Sequence, residues 1–377
     1  MTKKLIIGIT SPSSVILLEG QLRYFTELGY ETYLMSPKNE RSQLFCYREG
    51  CKLLEVAIKR EISIFNDIRS LIIIIKTLYQ IKPDIVNFGT PKMGLLGMLG
   101  AKIWRVPLRI YTCRGFRYEH EKGFKRWILK NIEWLAGGCA HKIICISPSV
   151  KYKGVKEKVF KENKCVVINK GSSNGVNMER FNPFIFITAD KQVLKKNLGL
   201  DHSCTFGFVG RVSDRKGILE LYHAFDHLYK KNKNIRLLIM GSTDDPQISD
   251  KTIITKLINH DGIIWPGRTD NVPLYLSIMD VFVLPTWAEG FGNVLVQAAA
   301  MGIPVISTKA TGSMDAVKDG YNGILVEPKS VKELTEAMFI LYQDKKMRAR
   351  MGRNGIEWAK NFDSKIIWDG KNKLYLS

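Results

Sequence analysis

Residues 280–308, DVFVLPTWAEGFGNVLVQAAAMGIPVIST, decide the fold. The stretch begins with an unbroken apolar run that stops at Pro285 and ends with a second β-branched run, Val305 to Thr308. Between them lie a glycine turn and an alanine-rich helix pattern. Strand, turn, helix and strand in this order form a βαβ unit, and an apolar run without alternation marks a strand buried on both faces of a parallel sheet. The turn holds one acid, Glu289, with Gly290 and Gly292 close behind, at the mouth of a helix that starts near Asn293. Ligands of open α/β sheets bind at the carboxyl ends of strands, and this turn lies at such an end.

The same pattern extends in both directions. The front half offers KLIIGIT, ETYLMS, DIVNFG, LRIYTC, KIICIS and CVVINKG as strands between helical stretches. The back half offers TFGFVGR, IRLLIMG, IIWPGR, DVFVLPT, IPVIST and GILVEP. Two such series of similar length predict two doubly wound α/β domains. The seam is expected in SSNGVNMERFNPFIFITADKQ, where glycine, asparagine and proline cluster. The expected limits are 1–183 for a front domain and 184–355 for a rear domain. A C-terminal helix, 356–377, is expected to cross back towards the front domain. No short repeat is present, which excludes a solenoid.

Composition bounds the partners. The 377 residues exceed what one hydrophobic core usually serves. The net charge of +21 predicts an anionic partner such as phosphorylated metabolites, an acidic bilayer surface or nucleic acid. Seven cysteines without a CxxC pair point to a reducing compartment. MTKKLIIGIT reads as a first strand, not a signal peptide, and no run approaches the roughly 20 apolar residues that span a bilayer. The expected location is the cytoplasm. Oligomeric state is left open.

Three loops after strands offer chemistry. In the opening turn, the unpaired N–H groups of a helix N-terminus suit a phosphate. Glu289, an anion, suits hydroxyls such as those of a sugar, and Gln297, one turn into the helix, suits a ribose hydroxyl. The plain alternative is a helix-end charge and a polar face residue. In FVGRVSDRKGILELYHAF, Arg211 and Lys216 stand five residues apart beside a helix start after Gly210. Arg gives a planar fork and Lys a point charge for a diphosphate, or both are solvated cations of a basic loop. In PGRTD, the turn with Arg268 suits the edge of a flat base, or is a turn and nothing more.

Taken together, Gly-Arg-x(4)-Lys-Gly, PG-R, DVFVLPTWAEGFG, AAAMGIPVIST and GYNGILV over residues 200–355 resemble the carboxyl-terminal domain of retaining glycosyltransferases of family 4. The front-half segments RGFRYEHEKGFKRWILKNIEWLA and VINKGSSNGVNMERFNP are similar to members that build bacterial capsule, lipopolysaccharide or glycan precursors on lipid carriers. The resemblance implies a GT-B fold, two Rossmann-like domains facing across a cleft. It implies a nucleotide-diphosphate sugar as donor, with uridine as the expected base, and no metal or other cofactor. By the same resemblance Arg211 and Lys216 hold the diphosphate, while Gly290, Phe291, Gly292, Asn293 and Val294 complete the donor loop with Glu289.

This chain departs from the family in two places. The family pattern is Glu-x7-Glu, with the second acid on the ribose; here Gln297 replaces it and gives up a charge-assisted hydrogen bond. Many members carry a histidine after a front-domain strand where this chain has Arg114, which cannot act as a base because it stays protonated. Arg114 suits the leaving phosphate. Glu119 and His120 are candidates for acceptor activation, His120 being equally a surface residue of a charged run. Ser13 and Ser14 in TSPSSVILLEGQ suit donor phosphate or acceptor, and also a helix N-cap.

His223 and His227 are four apart on a helix, but neither the glutamate of a metalloprotease nor a third ligand accompanies them. The segment KGFKRWILKNIEWLAGG combines Lys122, Lys125, Arg126 and Lys130 with Phe124, Trp127 and Trp134. It reads as a membrane-surface helix or as a core helix with a basic face. The expected function is transfer of a sugar to a saccharide hydroxyl, the expected partners being the nucleotide-sugar, a polyprenyl-diphosphate-linked acceptor and an anionic membrane surface. A sugar-nucleotide epimerase of the same fold and a basic nucleic-acid-binding protein are the alternatives. The epimerase needs acids and a histidine set that are not evident, and a nucleic-acid role leaves the glycine-rich strand ends unexplained.

Overall fold

Chain topology follows from the apolar runs. The computed structural model describes residues 2–58, 63–243 and 248–377, His120 without its side chain. Among these, the chain forms two compact units, Met1–Gly175 with Ser364–Ser377, and Val176–Asp363.

The first unit contains β1 (Lys4–Gly8), β2 (Glu31–Ser36), β3 (Lys52–Glu55), β4 (Ile85–Phe88), β5 (Leu108–Cys113), β6 (Lys142–Cys145) and β7 (Cys165–Val166). They form one parallel sheet in the order β3-β2-β1-β4-β5-β6-β7. Period-two alternation splits its side chains between two cores. Ile6, Met35, Val86, Phe88, Tyr111 and Ile143 pack on one side, under helices Ile64–Ile81, Pro91–Ile103 and Gly123–Cys139. Leu5, Ile7, Leu34, Ile85, Ile110 and Ile144 pack on the other, with Leu22, Phe25, Phe45 and Tyr375. Tyr375 belongs to helix Ser364–Leu376, so the last helix of the chain completes the core of the first unit.

The second unit contains β8 (Cys204–Val209), β9 (Ile235–Met240), β10 (Ile263–Gly267), β11 (Val281–Leu284), β12 (Val305–Thr308) and β13 (Gly323–Val326). All pair in parallel, in the order β10-β9-β8-β11-β12-β13. Val281, Phe282, Val283 and Leu284 are all fully buried, as an apolar run without alternation requires. In both sheets the order reverses beside the first strand, at β1/β4 and at β8/β11. Such a switch point opens a crevice at the strand ends.

Three expectations change. The seam falls between Gly175 and Val176, inside the expected segment but ahead of the limit at 183, because the Val176 N–H donates to the Phe362 carbonyl at 2.8 Å and Val176 bridges to Asp363. The C-terminal segment is two helices, not one. Helix Lys345–Ala359 stays with the second unit, its Gly352 and Gly355 closely approached by the carbonyls of Gly302 and Ala299. A short 3-10 turn, Lys360–Phe362, then breaks the helix, and the return to the first unit starts at Ser364 instead of 356. The strand Lys52–Glu55 was not expected; its ends are charged and exposed and its two leucines half-buried, so it carries no buried signature.

Candidate active site

The reversal at β8/β11 brings together residues that lie more than seventy positions apart. After β8 the chain passes Gly210 and the exposed Arg211, makes a 3-10 turn over Asp214–Lys216 and enters helix Ile218–Lys231 through Gly217. Gly217 has φ +72°, and a Cβ there would lie 2.0 Å from the Pro285 carbonyl oxygen. Only glycine permits both the left-handed backbone and this approach. The two loops therefore touch directly. The Arg215 carbonyl accepts the Trp287 N–H at 2.9 Å and the Thr286 hydroxyl at 2.8 Å. The Lys216 ammonium bonds the Glu289 carboxylate, both side chains about one-fifth exposed.

Further ties hold the Glu289 loop. The buried Glu220 accepts the Trp287 indole N–H at 3.0 Å, and the Lys329 ammonium sits 3.9 Å from the Trp287 ring centroid. The Glu289 N–H donates to Thr311 at 3.1 Å. Gly312, with φ +82°, leaves room for the Glu289 and Gly290 backbone, which a Cβ would meet at 2.4–2.5 Å. Loops after β8, β11 and β12 thus converge on one carboxylate and one ammonium. Trp287, Glu220 and Lys329 escaped sequence reasoning: the tryptophan was visible, but no spacing rule links it to a glutamate 67 residues earlier.

Helix Asn293–Ala300 starts behind Gly292 with no side-chain cap; the Leu295 N–H donates to the Gly292 carbonyl at 2.8 Å, and the helix start carries the positive end of the macrodipole. Asn293, Val294 and Gln297 are half-buried on it. Phe291 is different. Its side chain is 2% exposed and packs on Phe362 with centroids 5.1 Å apart, so it offers a ligand backbone only. Arg268, just past β10, is exposed.

In the first unit, Arg114 stands at the end of β5. It donates through Nε to the Ser173 hydroxyl at 2.8 Å and through Nη1 to the Gly89 carbonyl beside the β1/β4 switch. Burial pushes its pKa down to about 10, opposed by nearby Tyr111, Tyr375 and Cys113, so it remains a cation at neutral pH. Its neighbour is Lys371 of helix Ser364–Leu376, 1% exposed, which donates to Gln21 Oε1 and to the Ser173 carbonyl, each at 2.8 Å. Burial, and then the Arg114 charge, depress the Lys371 pKa well below its ordinary value. Neither cation meets a carboxylate among the described residues. No sequence pattern flags Lys371, because its partners come from three separate segments.

The other candidates of this unit stand as follows. Glu119 is bound to the Lys153 ammonium at 2.5 Å, and the His120 side chain lies outside the described residues. Ser11, not Ser13 or Ser14, occupies the N-cap position of the 3-10 segment Pro12–Leu18, without a side-chain capping bond. Pro12 at the first position shifts the helix start ahead of the expected caps. Ser13 is exposed and shares a hydrogen bond with Ser11 at 2.9 Å. In helix Gly123–Cys139, Arg126 and Lys130 turn to Glu157 at 3.3 and 3.7 Å, and Lys125 pairs with Glu121 at 2.8 Å, so less free charge faces outward than the sequence suggests. Glu133 of that helix is buried, accepts the Tyr111 hydroxyl at 2.5 Å, and is pushed up to about 7 by burial.

His223 and His227 are exposed, and no group of three or more potential metal ligands exists among the described residues. No helix among them is long and apolar enough to cross a membrane.

Two doubly wound parallel sheets, with a cation and an acid joined at a switch point behind a glycine-rich helix start, define the GT-B class of glycosyltransferases. The chain belongs to glycosyltransferase family 4: residues 18–180 match the family described as "Glycosyltransferase Family 4" and residues 190–358 that described as "Glycosyl transferases group 1". It is 35% identical to the capsular polysaccharide biosynthesis glycosyltransferase CapM of Staphylococcus aureus, across 97% of this chain and 95% of the relative. It is 26% identical to the N,N'-diacetylbacillosaminyl-diphospho-undecaprenol alpha-1,3-N-acetylgalactosaminyltransferase of Campylobacter jejuni, across 92% and 90%. The crystal structure of Anabaena Alr3699/HepE in complex with UDP and glucose superposes with a TM-score of 0.81 at 17% identity, covering all of both chains, a likeness of fold. The chain is a glycosyltransferase.

Proposed function

We propose that this enzyme transfers a sugar from a UDP-sugar to a hydroxyl of a saccharide carried on polyprenyl diphosphate, with retention of anomeric configuration and without a metal ion. The work is assigned to the inner face of the cytoplasmic membrane, in surface polysaccharide or glycan synthesis. The observation that carries this reading is the junction of Lys216 and Glu289 at the β8/β11 switch, where one site presents a cation for phosphate and an acceptor for sugar hydroxyls. The acceptor class is supported by the Campylobacter relative, whose name specifies a diphospho-undecaprenol acceptor.

In the reaction the acceptor oxygen bonds to the anomeric carbon as the bond from that carbon to the phosphate oxygen breaks. Negative charge grows on the departing diphosphate. Arg211, Lys216 and the positive end of helix Asn293–Ala300 stabilise it, the type of preorganised electrostatic contribution that usually dominates. Glu289, once Lys216 turns to phosphate, accepts from the sugar hydroxyls and fixes the ring. The acceptor proton passes to the leaving phosphate on the same face. Gln297 and Arg268 are assigned to the ribose and the base, and Arg114 to the leaving phosphate. Ser13, Ser14, Glu119 and His120 are assigned to the acceptor.

Arg211→Ala or Lys216→Ala is expected to raise the barrier by about 2–4 kcal/mol with the fold intact, measured as kcat/KM alongside circular dichroism. Near-normal turnover in both would remove these roles.

A further inference from the structure

Two helices of the first unit hold large apolar side chains in the open. On helix Ile64–Ile81, Ile64, Phe65, Ile68, Ile72 and Tyr79 are each more than half exposed, Phe65 at 89%. At 100° per residue they fall on one stripe. On helix Gly123–Cys139, Phe124, Trp127 and Trp134 are likewise more than half exposed, the first two rings stacked with centroids 5.7 Å apart. Large apolar side chains gathered on one stripe of a helix in this way mark an interaction surface, unlike scattered single residues.

The two stripes lie on one side of the sheet. Both helices pack against helix Pro91–Ile103, where a Cβ on Gly100 would meet Ile74 at 2.9 Å. Their inward residues, Ile74, Leu78, Ala136 and Cys139, share one core. The outward stripes therefore belong to one helical layer.

Charge selects the occupant. Arg69 and Lys76 flank the stripe on helix Ile64–Ile81, exposed and without an acidic partner among the described residues. The only acid on that helix, Asp67, is bound to Lys92 at 2.6 Å, and the only acid on helix Gly123–Cys139, Glu133, is buried. Aliphatic and aromatic side chains flanked by free cations, with no free carboxylate, match the acyl–headgroup boundary of an anionic bilayer. A second copy of the same face would instead oppose like charges.

We propose that helix Ile64–Ile81 is a second bilayer contact, so that the first unit stands on an anionic membrane through two stripes of one helical layer. This inference rests on the peripheral-membrane reading above. A single amphipathic helix leaves the protein free to pivot about its axis. Two stripes fix the tilt of the unit, and with it the height of the β-strand ends above the lipid.

The test is flotation of the full chain with vesicles of phosphatidylcholine containing phosphatidylglycerol, and with phosphatidylcholine alone. Phe65→Ser combined with Ile68→Ser is expected to lower partitioning onto the anionic vesicles at least about tenfold, as is Phe124→Ser with Trp127→Ser. Calorimetric titration with UDP, unchanged in both, reports an intact second unit. Arg69→Gln with Lys76→Gln leaves the apolar stripe whole and is expected to weaken binding only to the anionic vesicles. Wild-type partitioning of both the Phe65/Ile68 and the Arg69/Lys76 variants would overturn the inference. So would a concentration-dependent dimer that the Phe65/Ile68 variant converts to monomer, because that stripe would then be a self-interface. Sugar transfer in detergent solution tests the catalytic reading separately.

Discussion

Lys216 and Glu289 satisfy each other, and that pairing is informative at the scale of single residues. In the proposed reaction a phosphate displaces the carboxylate from the ammonium, and the displaced carboxylate becomes available to sugar hydroxyls. Gln297 stands where the family pattern has a second acid, and its neutral amide makes a weaker bond to a hydroxyl than a carboxylate does. Gln297→Glu is therefore expected to hold or tighten UDP affinity in calorimetric titration, by up to about tenfold. A large loss would show that the amide serves something other than the ribose. The residues of this site were legible as types at strand ends. Their contacts were not: nothing in a spacing of 73 residues says that Lys216 meets Glu289, and the inward turn of Phe291 onto Phe362 depends on a residue beyond the donor domain's last strand.

At the scale of elements, most strands were visible, β2 and β5 to the residue, because short runs rich in β-branched, aromatic and aliphatic residues stand between helical stretches. The edge strand β3 was not, since half-exposed leucines between charged ends look like loop. The loop-to-loop contact at Gly217 makes a direct prediction. Gly217→Ala forces a Cβ onto the Pro285 carbonyl at a left-handed φ, so it should destabilise the second unit by about 1–3 kcal/mol and lower kcat/KM together. Unchanged melting would mean that the two loops part freely.

The last helix invites a pH experiment. Lys371 has its pKa depressed in the folded chain by burial first and by Arg114 second, so below the unfolded value of about 10.4 the unfolded chain binds more protons. Its contribution to stability is greatest above that value and is lost as pH falls towards the folded pKa. The stability of wild type minus that of Lys371→Met should therefore rise with pH between 7 and 10, by at most about 1.4 kcal/mol per unit. A flat difference in urea midpoints would contradict the depressed pKa of Lys371. Membership of this helix in the first unit was expected; the break at Lys360–Phe362 was not, because a 3-10 turn keeps enough helical periodicity to hide.

At the scale of the whole molecule, two series of βα units marked the architecture, and the net charge of +21 pointed to an anionic partner without choosing among phosphorylated metabolites, a bilayer surface and nucleic acid. They gave no distinction between cations that face solvent and those already spent on acids. Arg126 and Lys130 look free in sequence and are bound to Glu157, whereas Arg69 and Lys76, which attract no notice in sequence, are open. Charge identifies a surface only after the ion pairs are known. The central claim is narrower than the charge: the β8/β11 switch receives the diphosphate of a nucleotide-sugar. A crystal soaked in a UDP-sugar tests it most directly. The account predicts phosphate oxygens about 2.7–3.2 Å from Lys216 Nζ and the Asn293 N–H, with the Glu289 carboxylate moved onto the sugar. Density showing the sugar-nucleotide elsewhere, with Lys216 still bound to Glu289, would contradict it.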